Sequence, residues 1–213
     1  MRILAAAGLS LLLVQPPAAP SILPETAVAR LVQGLDAARA QRRNVWRDTR
    51  AIHSEGTVTA YVEIPRGDRR KWEFDIARNR RIVDRVLPRE VGGYPINYGF
   101  VPQTISFDGD PVDALVLGRA LRGGALIRGE IVAIMHMEDE QGLDSKIVLS
   151  PVMVGKRLHD LTDADRARLT AFFAKYKAHE PGAFSRVTGW GSPEEGLSYA
   201  RQTHAFFTAK RGS

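Results

Sequence analysis

The sequence predicts a mainly β protein of the α+β class, in which many short strands form a small barrel or a sandwich. Apolar and polar residues alternate in several short segments between positions 57 and 150, which is typical of half-buried strands. Turn signals such as Gly92-Gly93 and Gly123-Gly124 separate these segments. A helical period appears only towards the two ends of the chain, so the helices are expected to flank the strands.

The first 20 residues have the layout of a secretory signal peptide. One early cation is followed by an uncharged apolar run from Ile3 to Val14, and then by prolines and small residues. The run is shorter than the roughly 20 residues that span a bilayer. We therefore expect removal of residues 1–20, export to a periplasm or to the outside, and no membrane span after processing. A retained anchor and a cytoplasmic location are the alternatives.

Residues 21–50 are predicted to form a helical extension, and residues 51–213 the main domain. Pro24 and Glu25 are helix start signals. Four apolar residues follow at helical spacing: Val28, Leu31, Leu35 and Ala38. Five arginines lie close behind them: Arg39, Arg42, Arg43, Arg47 and Arg50. With a net charge of +6 they allow nucleic-acid binding, but a solvated helix face explains them as well, and no nucleic-acid partner is expected.

The strands follow from alternation with a period of two. In residues 57–64 an aliphatic row alternates with polar residues, which puts Glu63 on the opposite face from that row. The same pattern recurs in residues 71–76. Further strands are expected near 81–87, 114–118, 125–136 and 146–150.

Two helices are expected in the last third of the chain. The first is capped by Thr162 or Asp163 and stops before Pro181. The second runs from Pro193 to about Phe207.

The chain contains no cysteine, which excludes disulfides and thiolate metal sites.

The most informative stretch is SFDGDPVDALVLG, residues 106–118, which places Asp108, Asp110 and Asp113 within six residues. Carboxylates at that density repel one another unless a cation binds between them. All-oxygen ligands suit Mg²⁺ or Mn²⁺, which keep several waters and also bind substrate phosphates. An EF-hand calcium loop begins similarly, but it requires glycine where Asp113 stands and glutamate where Arg119 stands. The loop therefore predicts a magnesium site, with manganese or another divalent ion as the alternative.

A second acidic group surrounds a Gln-Gly turn about 30 residues later: Glu138, Asp139, Glu140 and Asp144. Alone it would be an ordinary charged hairpin. Four cations lie near these carboxylates or near tyrosines in the sequence: Lys71, Arg85, Lys146 and Lys177. Metal-binding carboxylates combined with several lysines and arginines are what a small polyanionic phosphate requires. The predicted substrate is therefore small and highly charged.

Seven segments together resemble the soluble family I inorganic pyrophosphatases, in order and at near-family spacing. They are YVEIP (61–65), KWEFD (71–75), VDR (83–85), YPINYGFVPQT (94–104), DGDPVDAL (108–115), EDEQGLDSK (138–146) and FFAKYK (172–177). The DGDPVD segment is that family's signature. The resemblance covers roughly residues 57 to 178 and does not include residues 1–50.

The resemblance implies an OB-like five-stranded closed β-barrel flanked by helices, which hydrolyses pyrophosphate to two orthophosphates with several Mg²⁺ ions. Because members of that family associate, a homo-oligomer is expected. The alternative is a non-catalytic OB-like protein that binds polyphosphate or nucleic acid. The intact metal-binding motif argues against this alternative.

The resemblance also implies a role for each motif residue. Asp110 would be the general base. The metal ligands would be Glu63, Asp108, Asp113, Asp139 and Asp144. The substrate-binding residues would be Lys71, Arg85, Tyr98, Lys146, Tyr176 and Lys177. The residues that support these from behind would be Glu73, which orients Lys71, together with Tyr94 and Asn97.

Some of these residues have simpler explanations that the sequence leaves open. Tyr176 continues an apolar helix stripe and could be a core residue. Tyr94 and Tyr98 flank Pro95, and the alternative is that they simply cover the end of a barrel. For Asn97 the alternative is that it simply fixes its turn through a hydrogen bond between its side chain and the backbone.

Overall fold

The computed structural model of the protein describes residues 22–211, so the predicted signal peptide lies outside the described residues. Its helices are α1 (Glu25–Arg39), α2 (Val45–Asp48), α3 (Asp163–Phe173) and α4 (Pro193–Arg211). Its strands are β1 (Val58–Ile64), β2 (Arg70–Asp75), β3 (Arg80–Val86), β4 (Asn97–Phe100), β5 (Asp113–Val116), β6 (Leu126–Asp139), β7 (Gly142–Leu143), β8 (Lys146–Met153), β9 (Lys156–Arg157) and β10 (Ser185–Gly191).

Five strands close into a ring. Their order is β6, β1, β4, β5 and β8, and β8 pairs again with β6. Strands β5 and β8 run parallel, whereas the other neighbours in the ring are antiparallel. Strands β7, β9 and β10 extend the sheet beyond the ring. A closed five-stranded ring with flanking helices confirms the predicted fold class.

The long strand β6 makes this closure possible, because its 14 residues reach β1, β8 and β10. Its pairing register with β8 shifts between Ile131 and Ala133. The register of β1 with β4 shifts between Val62 and Ile64. An extra residue of this kind bends a strand and increases its twist, which a small closed ring needs.

A hairpin of β2 and β3 lies outside the ring and packs over β1. The ring of Phe74 lies 5.2 Å from that of Tyr61 and 5.3 Å from that of Phe100. The backbone N–H of Phe74 donates a hydrogen bond to Glu63, with 2.7 Å between N and Oε1. All seven residues of β1 are buried, so the face of β1 that carries Glu63 is covered as well as the aliphatic face.

Helix α1 of the N-terminal extension shares one hydrophobic core with the strands and α4. Its buried residues are Ala27, Leu31, Leu35 and Ala38. Next along the chain, the ring of Trp46 lies edge-on to Phe207 of α4 at 5.0 Å, and its indole N–H donates to the carbonyl of Thr104. The predicted apolar row is confirmed except that Ala27 is fully buried while Val28 is only partly so.

Strands β4 and β10 were not predicted from the sequence. The short β4 carries Gly99, where an added Cβ would lie 1.8 Å from the carbonyl oxygen of Tyr61. Only glycine allows that approach of β4 to β1. The short helix α2 lies within the predicted helical extension, although the sequence did not mark it as a separate helix.

Both predicted late helices are present, but the first ends earlier than the expected stop before Pro181. The cap of α3 is Thr162, which forms a reciprocal capping box with Asp165. Helix α3 ends at Phe173, so Tyr176 lies in the turns beyond it and not on its surface. No helix within residues 22–211 has the length and apolar character needed to cross a membrane.

Candidate active site

A pocket of about 220 Å³ lies between the β2–β3 hairpin, the loop before β5 and the turn after β6. Seven carboxylate side chains line it: Glu63, Glu73, Asp108, Asp110, Asp113, Asp139 and Asp144. Two lysines, Lys71 and Lys177, line it as well. The excess of negative charge suits a site that binds cations.

The loop of residues 106–110 carries the first two aspartates on a tight turn. The N–H of Ser106 donates to the carbonyl of Asp110 at 2.7 Å, and the N–H of Asp110 donates to Asp108 Oδ1 at 2.9 Å. Gly109 provides the required positive φ of 91°. The turn directs both carboxylates into the same pocket, as the motif predicts.

Lys146 lies fully buried behind the pocket and joins two of its carboxylates. Its Nζ is 2.8 Å from both oxygens of Asp144 and hydrogen-bonds to Asp113. The hydroxyl of Tyr98 also donates to Asp113 and lies 3.4 Å from Lys146 Nζ. Although burial lowers the pKa of Lys146, the two carboxylates more than offset it and hold that pKa well above its usual range. Lys146 therefore stays charged and keeps Asp113 and Asp144 together.

Lys177 performs a similar function on the other side of the pocket. Its Nζ lies 2.7 Å from Asp139 Oδ2 and 2.9 Å from Glu140 Oε1. Glu140, which the sequence does not assign to the site, thus shares the cation of Asp139. Tyr176 lies beside Lys177, buried and stacked on the ring of Phe172 at 5.9 Å, yet it also lines the pocket. It is therefore both a core residue and a pocket residue.

The hairpin supplies two further cations. Lys71 Nζ is 2.6 Å from Glu73 Oε1 and 3.4 Å from Asp84. Arg85 contacts Asp84 at 2.7 Å and Glu180 at 2.8 Å. The contact between Arg85 Nη2 and Glu180 Oε1 is an ion pair whose geometry does not meet that of a hydrogen bond. Both atoms are buried, and neither has a hydrogen-bond partner within the described residues.

Four predicted residues do not line the pocket: Tyr94, Asn97, Arg85 and Lys146. The ring of Tyr94 packs behind Tyr98 at 5.6 Å. The side chain of Asn97 hydrogen-bonds only to backbone groups of Arg66, Val116, Arg119 and Leu121. Tyr94 thus packs behind a pocket residue. The hydrogen bonds of Asn97 hold loops together, which is the simpler of the two explanations that the sequence leaves open.

Burial and mutual repulsion raise the pKa values of several pocket carboxyls. Burial, with the nearby charge of Asp144, raises the pKa of Asp108 to about 8. Burial and the charge of Asp113 raise the pKa of Glu63 well above its usual value. A divalent cation would relieve both effects by stabilising the ionised forms.

The pocket residues fit divalent ions that keep part of their water shell. Within residues 22–211, no three histidine, cysteine, aspartate or glutamate side chains form a preassembled metal cluster. The hydrogen bonds of Lys146 occupy Asp113 and Asp144. Ions such as Mg²⁺ bind through one or two carboxylates with waters and substrate phosphates, so a pocket of separate carboxylates suits them.

One residue near the site was missed by the sequence reading. Arg30 of α1 places its Nη1 3.5 Å from Oδ1 of Asp110. The side chain of Asp110 is 65% exposed, although neighbouring pocket residues displace part of the water around its carboxyl. This partial desolvation and repulsion from Asp113 raise the pKa of Asp110 against the opposing charge of Arg30. The two residues are 80 positions apart, and no sequence pattern connects them.

Comparisons with known proteins agree with this description. A family model described as inorganic pyrophosphatase matches residues 60–208. This match continues through β10 and α4, beyond the segments noted in the sequence. An inorganic pyrophosphatase of Sulfolobus acidocaldarius is 40% identical over 146 residues, which are 65% of this chain and 84% of that protein. An inorganic pyrophosphatase of Aeropyrum pernix is 43% identical over 141 residues, which are 62% of this chain and 80% of that protein.

Solved structures give the same result. An inorganic pyrophosphatase from Thermus thermophilus superposes with a TM-score of 0.71 at 31% identity, covering 78% of this chain and 99% of that one. One from Coxiella burnetii gives a TM-score of 0.69 at 33% identity, covering 75% and 99%.

Asp108 should make the stability of the metal-free protein depend on pH. Its pKa rises from the usual 3.8 to about 8 on folding, so between these values the native state holds a proton that the unfolded state has lost. The free energy of unfolding therefore falls as the pH rises through this window. In a chelator, we expect a higher melting temperature at pH 5 than at pH 8, and a smaller difference in Asp108→Asn. Asp160→Asn, whose side chain is 79% exposed, is the control. If Asp108→Asn shows the same difference in melting temperature between pH 5 and pH 8 as the wild type, Asp108 is not the source of the pH dependence.

Proposed function

Because this chain belongs to the inorganic pyrophosphatase family, we propose that its carboxylate pocket is the active site for that family's reaction. The protein is a hydrolase that splits pyrophosphate into two orthophosphates. The observation that carries the site assignment is the presence of the DGDPVD aspartates and two lysines in one pocket. A non-catalytic polyphosphate- or nucleic-acid-binding role is not favoured, since the relatives named above are inorganic pyrophosphatases over most of their length.

The family depends on divalent metal, and for this chain we propose Mg²⁺. Its holders would be Glu63, Asp108, Asp113, Asp139 and Asp144. Their oxygen atoms match the preference of hard cations. When bound, the ions would neutralise phosphate charge and make a water in the site more acidic.

Asp110 is the best candidate for the general base. Lys146 contacts Asp113 and Asp144, and Lys177 contacts Asp139. These three aspartates are also among the proposed metal holders. Asp110 lies at the mouth of the pocket, with only the 3.5 Å contact to Arg30 and no partner for Oδ2 within the described residues. A free carboxylate oxygen next to the pocket can accept the proton of an attacking water.

Lysines and tyrosines of the pocket would bind the phosphates. Lys71, Lys177 and Tyr176 line the cavity, where their side chains can donate hydrogen bonds to phosphate oxygens. Burial raises the pKa values of Tyr98 and Tyr176, so both hydroxyls keep their proton and remain donors.

All four assigned cations have carboxylate partners in this structure. Arg85 contacts Asp84 and Glu180, and Lys146 holds Asp113 and Asp144. Their roles towards substrate therefore require an exchange of partners when the phosphates bind. Such an exchange would replace carboxylate contacts by phosphate contacts of the same charge-assisted kind.

Replacing Asp110 by Asn should abolish turnover while leaving metal-dependent binding of pyrophosphate intact. The amide cannot accept the proton, and loss of a general base costs about 10²- to 10⁴-fold in rate. Phosphate release is measured with Mg²⁺, with Ca²⁺ and with chelator, and binding is measured by calorimetry. Protein lacking residues 1–20 is used throughout.

Asp160→Asn is the matched control, since this exposed carboxylate does not line the pocket and pairs only with Arg157 within the described part. It should retain full activity. Full activity in Asp110→Asn would remove the general-base assignment. No phosphate release from well-folded wild-type protein would remove the assignment of the reaction to this pocket.

We also propose that the protein is exported after removal of residues 1–20. Support comes from the apolar run and the small residues that follow it in the sequence. Intact mass of protein purified from the native cell envelope and medium should show the loss of about 20 residues. Cytosolic protein with its complete N-terminus would contradict export.

The homo-oligomer stays a prediction. Apolar side chains exposed near the β8–β9 turn support it, since Met153 is 63% and Val154 is 96% exposed. Light scattering at micromolar concentration should give a multiple of the chain mass. A monomer mass at all concentrations would contradict it.

A further inference from the structure

Helix α1 lies directly against the loop that carries Asp108 and Asp110. A Cβ added at Gly109 would lie 2.4 Å from Cδ of Arg30 and 3.2 Å from Cα of Ala27. The turn that directs the two carboxylates into the pocket is therefore in contact with the helix surface. A glycine at this position lets the helix approach that closely.

Core packing fixes the position of α1 relative to the site. Ala27 and Leu31 are completely buried, and they belong to the same hydrophobic cluster as Phe107 of the loop and Phe207 of α4. Ser106 of the loop also bonds to the hydroxyl of Tyr199 in α4 at 2.7 Å. The helix and the loop therefore behave as one packed unit, and Arg30 projects from a rigid surface.

Arg30 is the only cation in residues 22–211 that forms an ion pair with Asp110. Its Nη1 lies 3.5 Å from Oδ1, and its side chain is 48% exposed. The lysines of the pocket are engaged elsewhere, Lys71 with Glu73 and Lys177 with Asp139. The aliphatic part of Arg30 packs on Gly109, while the guanidinium reaches the carboxylate.

We propose that Arg30 is a positioning residue that acts through Asp110, so that α1 forms part of the active site of this chain. By engaging Oδ1, the guanidinium holds the carboxylate in one orientation and leaves Oδ2 to accept the proton. Orientation of a catalytic group is worth a large factor in rate even when it adds little to stability. The inference rests on the proposed role of Asp110 as general base.

Arg30 lies outside the part of the chain that the family model matches, which begins at residue 60. The contact is therefore supplied by a segment outside the matched residues. It depends on α1 being packed onto the ring, as the shared core shows.

The test separates the charge of Arg30 from its packing. Arg30→Met keeps an unbranched apolar chain against Gly109 and removes the guanidinium. We expect kcat for pyrophosphate to fall about tenfold with KM within about twofold of the wild type, because the variant loses orientation and not substrate contact. Arg30→Lys should recover part of kcat, since it restores a cation. Thermal unfolding checks that each variant is folded, and Arg30→Gln replaces Arg30→Met if the latter is destabilised.

Arg39→Met is the matched control. This arginine lies on the same helix, 75% exposed and paired with Asp36 within the helix, and its replacement should change neither kcat nor KM. Unchanged kcat in folded Arg30→Met, an increase in kcat, or a change confined to KM would overturn the proposal. Wild-type protein and Asp110→Asn are assayed beside these variants. Failure of the wild type to release phosphate would count against the active-site assignment, whereas an active Asp110→Asn would remove the residue through which Arg30 acts.

Discussion

Repulsion among carboxylates in one small pocket is the constraint on which the rest of the site depends. Seven of them line a cavity of about 220 Å³ against two lysines. Burial raises the pKa values of Glu63 and Asp108, and the charges of neighbouring carboxylates raise them further. The repulsion is strong because charges in a poorly solvated site are weakly screened. A protein that keeps such a cluster without a ligand must supply positive charge from its own side chains. The same charge imbalance creates affinity for divalent ions and, through them, for a polyanionic substrate.

The cations meet this requirement at different depths. Lys146 is fully buried and holds Asp113 and Asp144 together, so those carboxylates are in place before any ion or phosphate arrives. At the mouth, Asp110 meets only the longer contact to Arg30 and stays accessible to water. This gradient separates carboxylates that hold positions from the one that can exchange a proton. A single chemical type thus serves two functions because its environments differ.

Much of the fold follows from local patterns, which is why it was predictable. Strands β1, β2, β3, β5, β6 and β8 show period-two alternation or apolar runs between turn signals, and the caps and stripes of α1, α3 and α4 are equally local. Strand β4 is different, since its four residues include Gly99 and follow a proline-containing loop. It is a strand because β1 and β5 supply hydrogen bonds on both sides. Such pairing depends on neighbours distant in the chain, and a local pattern does not record it.

The chemistry of this protein could be predicted from its residues alone: the spacing of Asp108, Asp110 and Asp113, the oxygen ligands, the cations, and hence the family. These properties depend on residue types at short separation, which a chain displays directly. Which charges contact one another depends on how the chain folds. The burial of Glu63 beneath the hairpin and the approach of Arg30 to Asp110 across 80 positions follow from strand register and core packing. Register and packing are set by contacts between distant segments, and so they appear only once the chain is folded.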